Sequence, residues 1–464
     1  MRTHRLITLV AVIILSLAEF VYCHATEWRV GPGRNYTKPS SLAALVNDGD
    51  TISIDAATYT ADVCRWTAHH LLFRGVGGNA VLASQGNVYG GKAIWVITGD
   101  SAVIENITFK DARCVDRNGA GIRLEGHHMV VRSCLFEANE DGILVGAIRP
   151  CNILIEYSEF SNSGFGDGLS HNLYIGAIDT LIFKYNYSHH CKVGHEFKSR
   201  ADVNYVMYNR IATEATGTGS RLMDIPNGGY AVIVGNDLMQ GPLTSNSNMI
   251  GYGLEGLRSG ISHKLFVAHN TFVSTRSIAL FTSYKEGTEL VGLWNNLVLG
   301  KGTFAPVVGS VPVEQSGNIV IPVVGIEVLE PLGTNFSLPA SSIARDSAMW
   351  NMISLRDTTL LPVWEYVHPM NKKERCKDSR YDVGSHEFCS ASDVPLASDG
   401  NIDYELHNSI LSFGSVQRLV NVWNAGGALL HSCTGCSIID LSTLPSGLLL
   451  IQTPGRLLRV MNCR

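Results

Sequence analysis

The chain has 464 residues, a formal net charge of −5 and only 17% charged residues, with 46 glycines. The mildly acidic balance excludes the basic face of a nucleic-acid-binding protein. Low charge with abundant Gly suits a chain of repeated turns that need positive φ.

Residues 1–25 read as a secretory signal. Arg2 and Arg5 give a positive start, Leu6 to Leu17 is an apolar run, and Cys23-His24-Ala25 offers a small-residue cleavage site. The run is shorter than a membrane span, and no later segment is long and apolar enough to cross a bilayer. The expectation is a secreted protein, extracellular or at the cell surface. Ten cysteines follow the signal region, an even number that suits disulfides in an oxidising compartment. Cys433 and Cys436 have CxxC spacing without a second pair, which favours a disulfide or tight loop over zinc. Asn35, Asn106, Asn186 and Asn335 each start a glycosylation sequon.

Glu27 to Pro39 leads into the main domain, expected over 26–388. Ser41 to Asp50 has an amphipathic pattern and is expected to be a short helix capping an open sheet end. A repeat then dominates. A short apolar stretch, a polar residue and a large apolar residue recur, ending at Phe109, Phe136, Phe160, Tyr187, Ile211, Leu238, Phe272 and Leu297. The steps are 27, 24, 27, 24, 27, 34 and 25 residues. Such a period marks stacked units that cannot bury their apolar faces alone. The segments alternate β-branched or aromatic residues with polar ones and lack a helical period. The regular Leu and Asn spacing of a leucine-rich repeat is missing. The pattern predicts an all-β protein, a right-handed single-stranded parallel β-helix with one coil per step. Its end residues Phe109, Phe136, Phe160 and Tyr187 should share one inward ladder. Equivalent positions on successive coils stack about 4.8 Å apart, so outward side chains form columns along one face.

Three consecutive coils concentrate functional side chains. Asn172-Leu-Tyr-Ile-Gly-Ala177, Glu196-Phe-Lys-Ser-Arg-Ala201 and Leu222-Met-Asp-Ile-Pro-Asn227 align strand on strand. Alternation sends Leu173, Ile175, Phe197, Met223 and Ile225 inward. It sends Asn172, Tyr174, Glu196, Lys198, Arg200 and Asp224 outward. Tyr174, Lys198 and Asp224 then share one column. His171, His195 and Arg221 stack one residue before the aligned set, with their direction open. The coils before, Gly121 to Gly126 and Gly142 to Ala147, present smaller or less polar faces apart from Arg123 and Glu125. A solvated surface gives no reason for such a local cluster.

Glu196-Phe-Lys-Ser-Arg-Ala-Asp-Val-Asn-Tyr-Val-Met-Tyr-Asn209 resembles the Lys-Ser…Asn…Asn coil of family 6 polysaccharide lyases, which cleave alginate and chondroitin-type chains. The match spans roughly 165 to 260. The resemblance implies a pectate lyase-like β-helix, with Lys198 as general base and Arg221, about one coil later and followed by Val234-Gly-Asn236, as acid. The family carries acidic calcium ligands just before the Lys. Here Cys191-Lys-Val-Gly-His-Glu196 has a single acid, so no cofactor is expected, and Lys192, His195 or Arg200 would do the cation's work.

The residue types suit β-elimination. The proton α to a uronate carboxylate is acidic once the carboxylate charge is neutralised by a metal or by Arg, Lys, His or Asn. A lysine takes that proton when neighbouring cations favour its neutral form. Arg221 or Tyr174 would protonate the leaving oxygen. Catalysis is therefore expected from Lys198, Arg221, Tyr174 and His195, and substrate binding from His171, Asn172, Arg200, Asp224 and Glu255. The expected partner is an acidic, uronate-containing polysaccharide, bound by a monomer. A 5-epimerase shares the first two steps and stays open. A hydrolase needs paired carboxylates at set separations; Asp141, Asp167, Asp224 and Glu255 exist without an adjacent pair. A non-catalytic binding solenoid would show aromatic platforms along many coils. No nucleophile-elbow motif supports Ser/His/Asp catalysis.

Asn335 to Asp346 and Tyr381 to Phe388 resemble the closing loops of secreted β-helix proteins. Residues 389–464 differ. Ser390 to Asn401 is a polar linker, and strands around Leu419 to Leu430 and Ile439 to Ile451 flank a Pro-Ser-Gly turn. This predicts a small β-sandwich. The "DLSTLPSG" segment resembles the C-terminal sorting domains of type IX secretion.

Overall fold

The computed structural model describes residues 25–323, 336–349, 360–376, 380–388 and most of 404–462. The expected signal before residue 25, the Asn335 sequon and the 390–401 linker lie outside the described residues. The chain falls into two compact units, Met1–Cys389 and Ser390–Arg464.

The first unit is a parallel β-helix. Three parallel sheets of 12, 11 and 10 strands run along it. Each coil contributes one strand to each, as Asn152–Glu156, Glu159–Ser161 and Leu173–Ile175 do in turn. The interior is a continuous apolar stack. Phe109 and Phe136 lie 5.2 Å apart at 5°, and Phe136 and Phe160 4.8 Å apart at 6°.

Tyr187 leaves the expected ladder. Phe160 pairs with Ser188, and Tyr187 with Glu159. Val298 likewise takes the place expected for Leu297. The reason is a buried asparagine ladder that sets the register. Asn209 Oδ1 accepts from Asn186 N at 2.9 Å and from its Nδ2 at 3.2 Å. Asn236 Oδ1 does the same for Asn209, at 2.9 Å both times. The chain of bonds continues through Asn270, Asn296 and Asn318. Saturated buried amides of this kind fix position strongly. From Asn186 to Asn296 the inward residue is the second after the Asn, whatever its size.

Three other expectations are corrected. The Ser41 to Asp50 helix is only a 3-10 turn at Pro39–Leu42 followed by turns. Asp50 captures Asn47 N at 2.8 Å and Thr26 N at 2.7 Å, and such local capture competes with helix. Cys64, Cys114, Cys134, Cys151 and Cys191 are free thiols, so the even count does not mean complete pairing. Cys376 and Cys433 are disulfide-bonded. Among the sequons Asn35 is exposed, whereas Asn186 is fully buried in the ladder and closed to a glycan.

The closing segments cover sheet faces. Phe336, Leu338, Ala344, Ala348 and Val383 pack on Ala212, Met239, Val273, Leu297 and Leu299 of the 11-stranded sheet. Leu360 packs on Val232, Val234, Phe266, Ala268 and Trp294 of the 12-stranded sheet. This cover explains why a strand such as Thr271–Ser274 is buried on both faces. The 10-stranded sheet, called the floor below, carries the clustered polar column.

The second unit has two antiparallel sheets. Tyr404–His407, Ile410–Gln417 and Cys436–Asp440 form one; Leu429–Cys433, Val420–Asn424, Gly447–Thr453 and Arg456–Asn462 form the other. Val420, Val422, Ile439, Leu449 and Ile451 share one buried cluster, the core of a small sandwich. No helix among the described residues is long and apolar enough to cross a membrane.

Candidate active site

The floor column is built by alternation in three short strands. Leu173 and Ile175, then Phe197, then Met223 and Ile225 are fully buried in the core. Tyr174 pairs with Lys198 and Lys198 with Asp224, so the middle residue of each strand stands in one outward column. Arg123 and Leu144 precede them, and Gly251 follows.

Alternation fails one residue earlier. Asn172 and Glu196, expected outward, are fully buried. Asn172 Nδ2 donates to Glu196 Oε2 at 2.6 Å, Asn172 Oδ1 accepts from Ser163 N at 3.1 Å, and Glu196 Oε1 accepts from Cys191 N at 3.0 Å. The chain enters the floor through a corner whose loop backbone needs these partners. Burial pushes the Glu196 carboxyl well above its usual range. Asn172 therefore braces the corner and does not line the face.

His171, His195 and Arg221 lie on the Tyr174 side, which settles their direction. The His171 ring stacks on His195 at 4.8 Å and on Tyr174 at 5.7 Å. His171 Nδ1 accepts from His195 N at 3.0 Å, and His195 Nδ1 accepts from Arg221 N at 3.1 Å. Both rings thus carry their proton on Nε2. Burial, then His195 and Lys198, holds His171 well below its ordinary range. Burial, then Lys198 and Arg221, takes His195 to about 3. These are neutral donors and not bases. His195 Nε2 lies 3.5 Å from Asp224 Oδ2.

Ion pairs join the rest. The wholly buried Asp224 has Arg221 Nη1 at 3.0 Å and Lys198 Nζ at 3.5 Å. Burial raises the Asp224 carboxyl, and Arg221 and Lys198 only partly oppose this. Glu255 comes from the loop after the floor strand Asn248–Tyr252. Its carboxylate meets Lys198 Nζ at 3.0 Å and Arg200 Nη2 at 2.5 Å. Burial pushes Glu255 up, but the bonds from Arg200 and Lys198 outweigh it and the net shift is downward. Arg200 Nε donates to Tyr174 Oη at 2.9 Å, and Arg200 Nη1 donates to Asn227 Oδ1 at 2.5 Å.

One cluster therefore gathers Lys198, Arg221, Tyr174, His195, His171, Arg200, Asp224 and Glu255, and leaves out Asn172. Three cations against two carboxylates leave a positive surplus suited to an anionic ligand. Lys192 is exposed on the preceding loop. Sequence reasoning missed Asn227 and Arg258. Asn227 ends the third aligned segment, a signal that was available. Arg258 Nη2 donates to Arg200 O at 2.8 Å from a loop the repeat did not define. Among the described residues no three His, Cys, Asp or Glu side chains are grouped to hold a metal, and Asp224 and Glu255 are already held by cations.

No family model and no curated protein matches the sequence. Among solved structures, the crystal structure of pectate lyase Pel9A aligns with a TM-score of 0.54 at 12% identity, over 78% of this chain and 96% of that one. A second, Geobacillus virus E2 ORF18, aligns with a TM-score of 0.36 at 13% identity, over 60% and 55%. The first likeness is one of fold: this chain is a parallel β-helix of the kind found in a pectate lyase.

Proposed function

We propose that this protein is a secreted polysaccharide lyase that cleaves a uronate-containing polymer by β-elimination. The observation that carries the reading is the convergence of Lys198 and Arg200 on Tyr174, with Arg221 joined to Lys198 through Asp224, on one outer face of a β-helix. Arg200 and Arg221 neutralise the uronate carboxylate and the enolate-like charge that builds on it. Lys198, once Glu255 has left it and with Arg200 and Arg221 as neighbouring cations, takes the α-proton. Tyr174 Oη already accepts a hydrogen bond from Arg200, so its own hydrogen is available to the leaving oxygen. Arg221 is the other proton source, and an epimerase would differ only by returning a proton to the opposite face. The second unit is read, on its "DLSTLPSG" resemblance, as a sorting module for export.

One observation favours a second reading. Asp224 and Glu255 both contact Lys198, at 3.5 and 3.0 Å, and their carboxyls are shifted in opposite directions, as in acid–base pairs of hydrolases. Against it, Asp224 is wholly buried and out of reach of a glycosidic oxygen. Incubation with alginate, pectate, chondroitin and glucuronan decides. Elimination gives new ultraviolet-absorbing unsaturated ends on one of them, unchanged by a chelator. New reducing ends without absorbance would replace elimination by hydrolysis. No change on any polymer would leave a binding solenoid.

A further inference from the structure

The Glu255 carboxylate is held in a way that copies a ligand. Its two oxygens go to two different cations, Oε1 to Lys198 at 3.0 Å and Oε2 to Arg200 at 2.5 Å. The side chain of Glu255 is 43% exposed, while those of Lys198 and Arg200 are 10% and 22% exposed. The receptor is thus the deeper layer and its occupant the outer one.

We propose that Lys198 and Arg200 form a two-point receptor for a free uronate carboxylate, and that Glu255 is its internal occupant, displaced when substrate binds. The identity of that substrate as a polyuronate rests on the lyase reading above. The receptor keeps its shape without Glu255. Arg200 is fixed by Tyr174 Oη and Asn227 Oδ1. Lys198 keeps Asp224 at 3.5 Å.

The loop also stays in place when the carboxylate leaves. Glu255 N donates to Pro226 O at 3.0 Å, and Arg258 N to Asn227 O at 3.1 Å. Asn227 Nδ2 donates to Gly256 O at 3.0 Å. Displacement therefore needs only rotation of an exposed side chain, a ps–ns motion. It lets a substrate carboxylate take over the contacts of Glu255 with Lys198 Nζ and Arg200 Nη2. A methyl-esterified uronate carries no charge to compete with Glu255, so the site selects free acids.

The test is calorimetric binding of tetrasaccharides of galacturonate, mannuronate and glucuronate, and of fully methyl-esterified tetragalacturonate, to the full chain and to Glu255→Gln and Glu255→Ala. Removing two partly exposed ion pairs should tighten binding of the preferred free acid about tenfold, and leave the ester unchanged. Unchanged or weaker binding of every free acid in both variants, with unaltered melting temperature, would overturn the proposal. Equal tightening of ester and acid would also overturn it, because Glu255 would then be only a steric cover. Tenfold tighter acid binding without unsaturated product would uphold the receptor and sink the elimination reading instead.

Discussion

Lys198 Nζ lies 3.0 Å from Glu255 Oε1, although the two residues are 57 positions apart in the chain. Two coils of β-helix separate them, and the coil period turns that distance into adjacency on one face. Lys198 is therefore a shared partner, bound by the floor through Asp224 and by a loop through Glu255. Its substitution has consequences for both chemistry and stability.

Lys198→Ala should reduce unsaturated product about 10²- to 10⁴-fold, the usual cost of losing a general base. The fold should survive at some cost. Asp224 would stay buried with Arg221 and His195 as its remaining partners, a loss on the order of 1–3 kcal/mol. Absorbance at the unsaturated ends reads the first effect and urea denaturation the second. Product at the wild-type rate would reject Lys198 as the base.

Tyr174→Phe separates the two proton sources. It removes the phenol while keeping the ring that His171 stacks on. If Tyr174 protonates the leaving oxygen, the rate should fall about 10²-fold, with a smaller rise in KM because Arg200 loses Tyr174 Oη but keeps Asn227 Oδ1. A rate unaffected by Tyr174→Phe but lost in Arg221→Ala would move the acid role to Arg221.

These predictions rest on parts of the molecule that differ in how legible they are. The Tyr174–Lys198–Asp224 column is readable because period-two alternation holds inside a strand. Asn172 and Glu196 are not, because they sit at a corner where backbone hydrogen bonding outweighs alternation. Tyr187 misleads for a related reason: it is the large residue of its segment, but the register follows Asn186. Glu255 is visible as an acid, yet its loop lies outside the repeat, so its contact with Lys198 is not. Least legible is the anchoring of the closing segment, where His386 meets Asp237 across 149 residues.

The asparagine ladder gives a stability prediction. Asn236→Ala removes the acceptor of Asn209 N and Nδ2 and the donors to Val206 O and Asn270 Oδ1, all in a buried row. Unsatisfied buried groups cost about 1–3 kcal/mol each, so a total loss of about 2–4 kcal/mol is expected. Urea unfolding should show it. A change below 0.5 kcal/mol, the scale of a neutral surface substitution, would mean the ladder does not set stability.

His386 makes stability depend on pH on the alkaline side. Its Nε2 lies 2.8 Å from Asp237 Oδ1, and its Nδ1 lies 3.4 Å from Glu365 Oε2. Burial alone would push the imidazole down. Asp237 and Glu365 reverse this and raise it from 6.5 to about 9. A raised histidine stabilises the fold fully below its unfolded value, and that stabilisation is lost as pH rises through the folded one. The melting temperature should therefore fall between about pH 6.5 and 9, by a contribution on the order of 3 kcal/mol shared among the three residues. Glu365 behaves in the opposite sense. Burial would raise it, but His386 and Arg375 bring it to about 2 from 4.5, so its share is lost as pH falls through that range. His386→Gln should flatten the alkaline limb. It should also loosen the segment around Ser385, whose Oγ shares Asp237 at 2.6 Å. Hydrogen exchange would then rise over 380–388 and on the strand Asp237–Gln240 beneath it, while the floor strand Phe197–Ser199 stays protected. A variant that keeps the wild-type alkaline slope would show that another group titrates there.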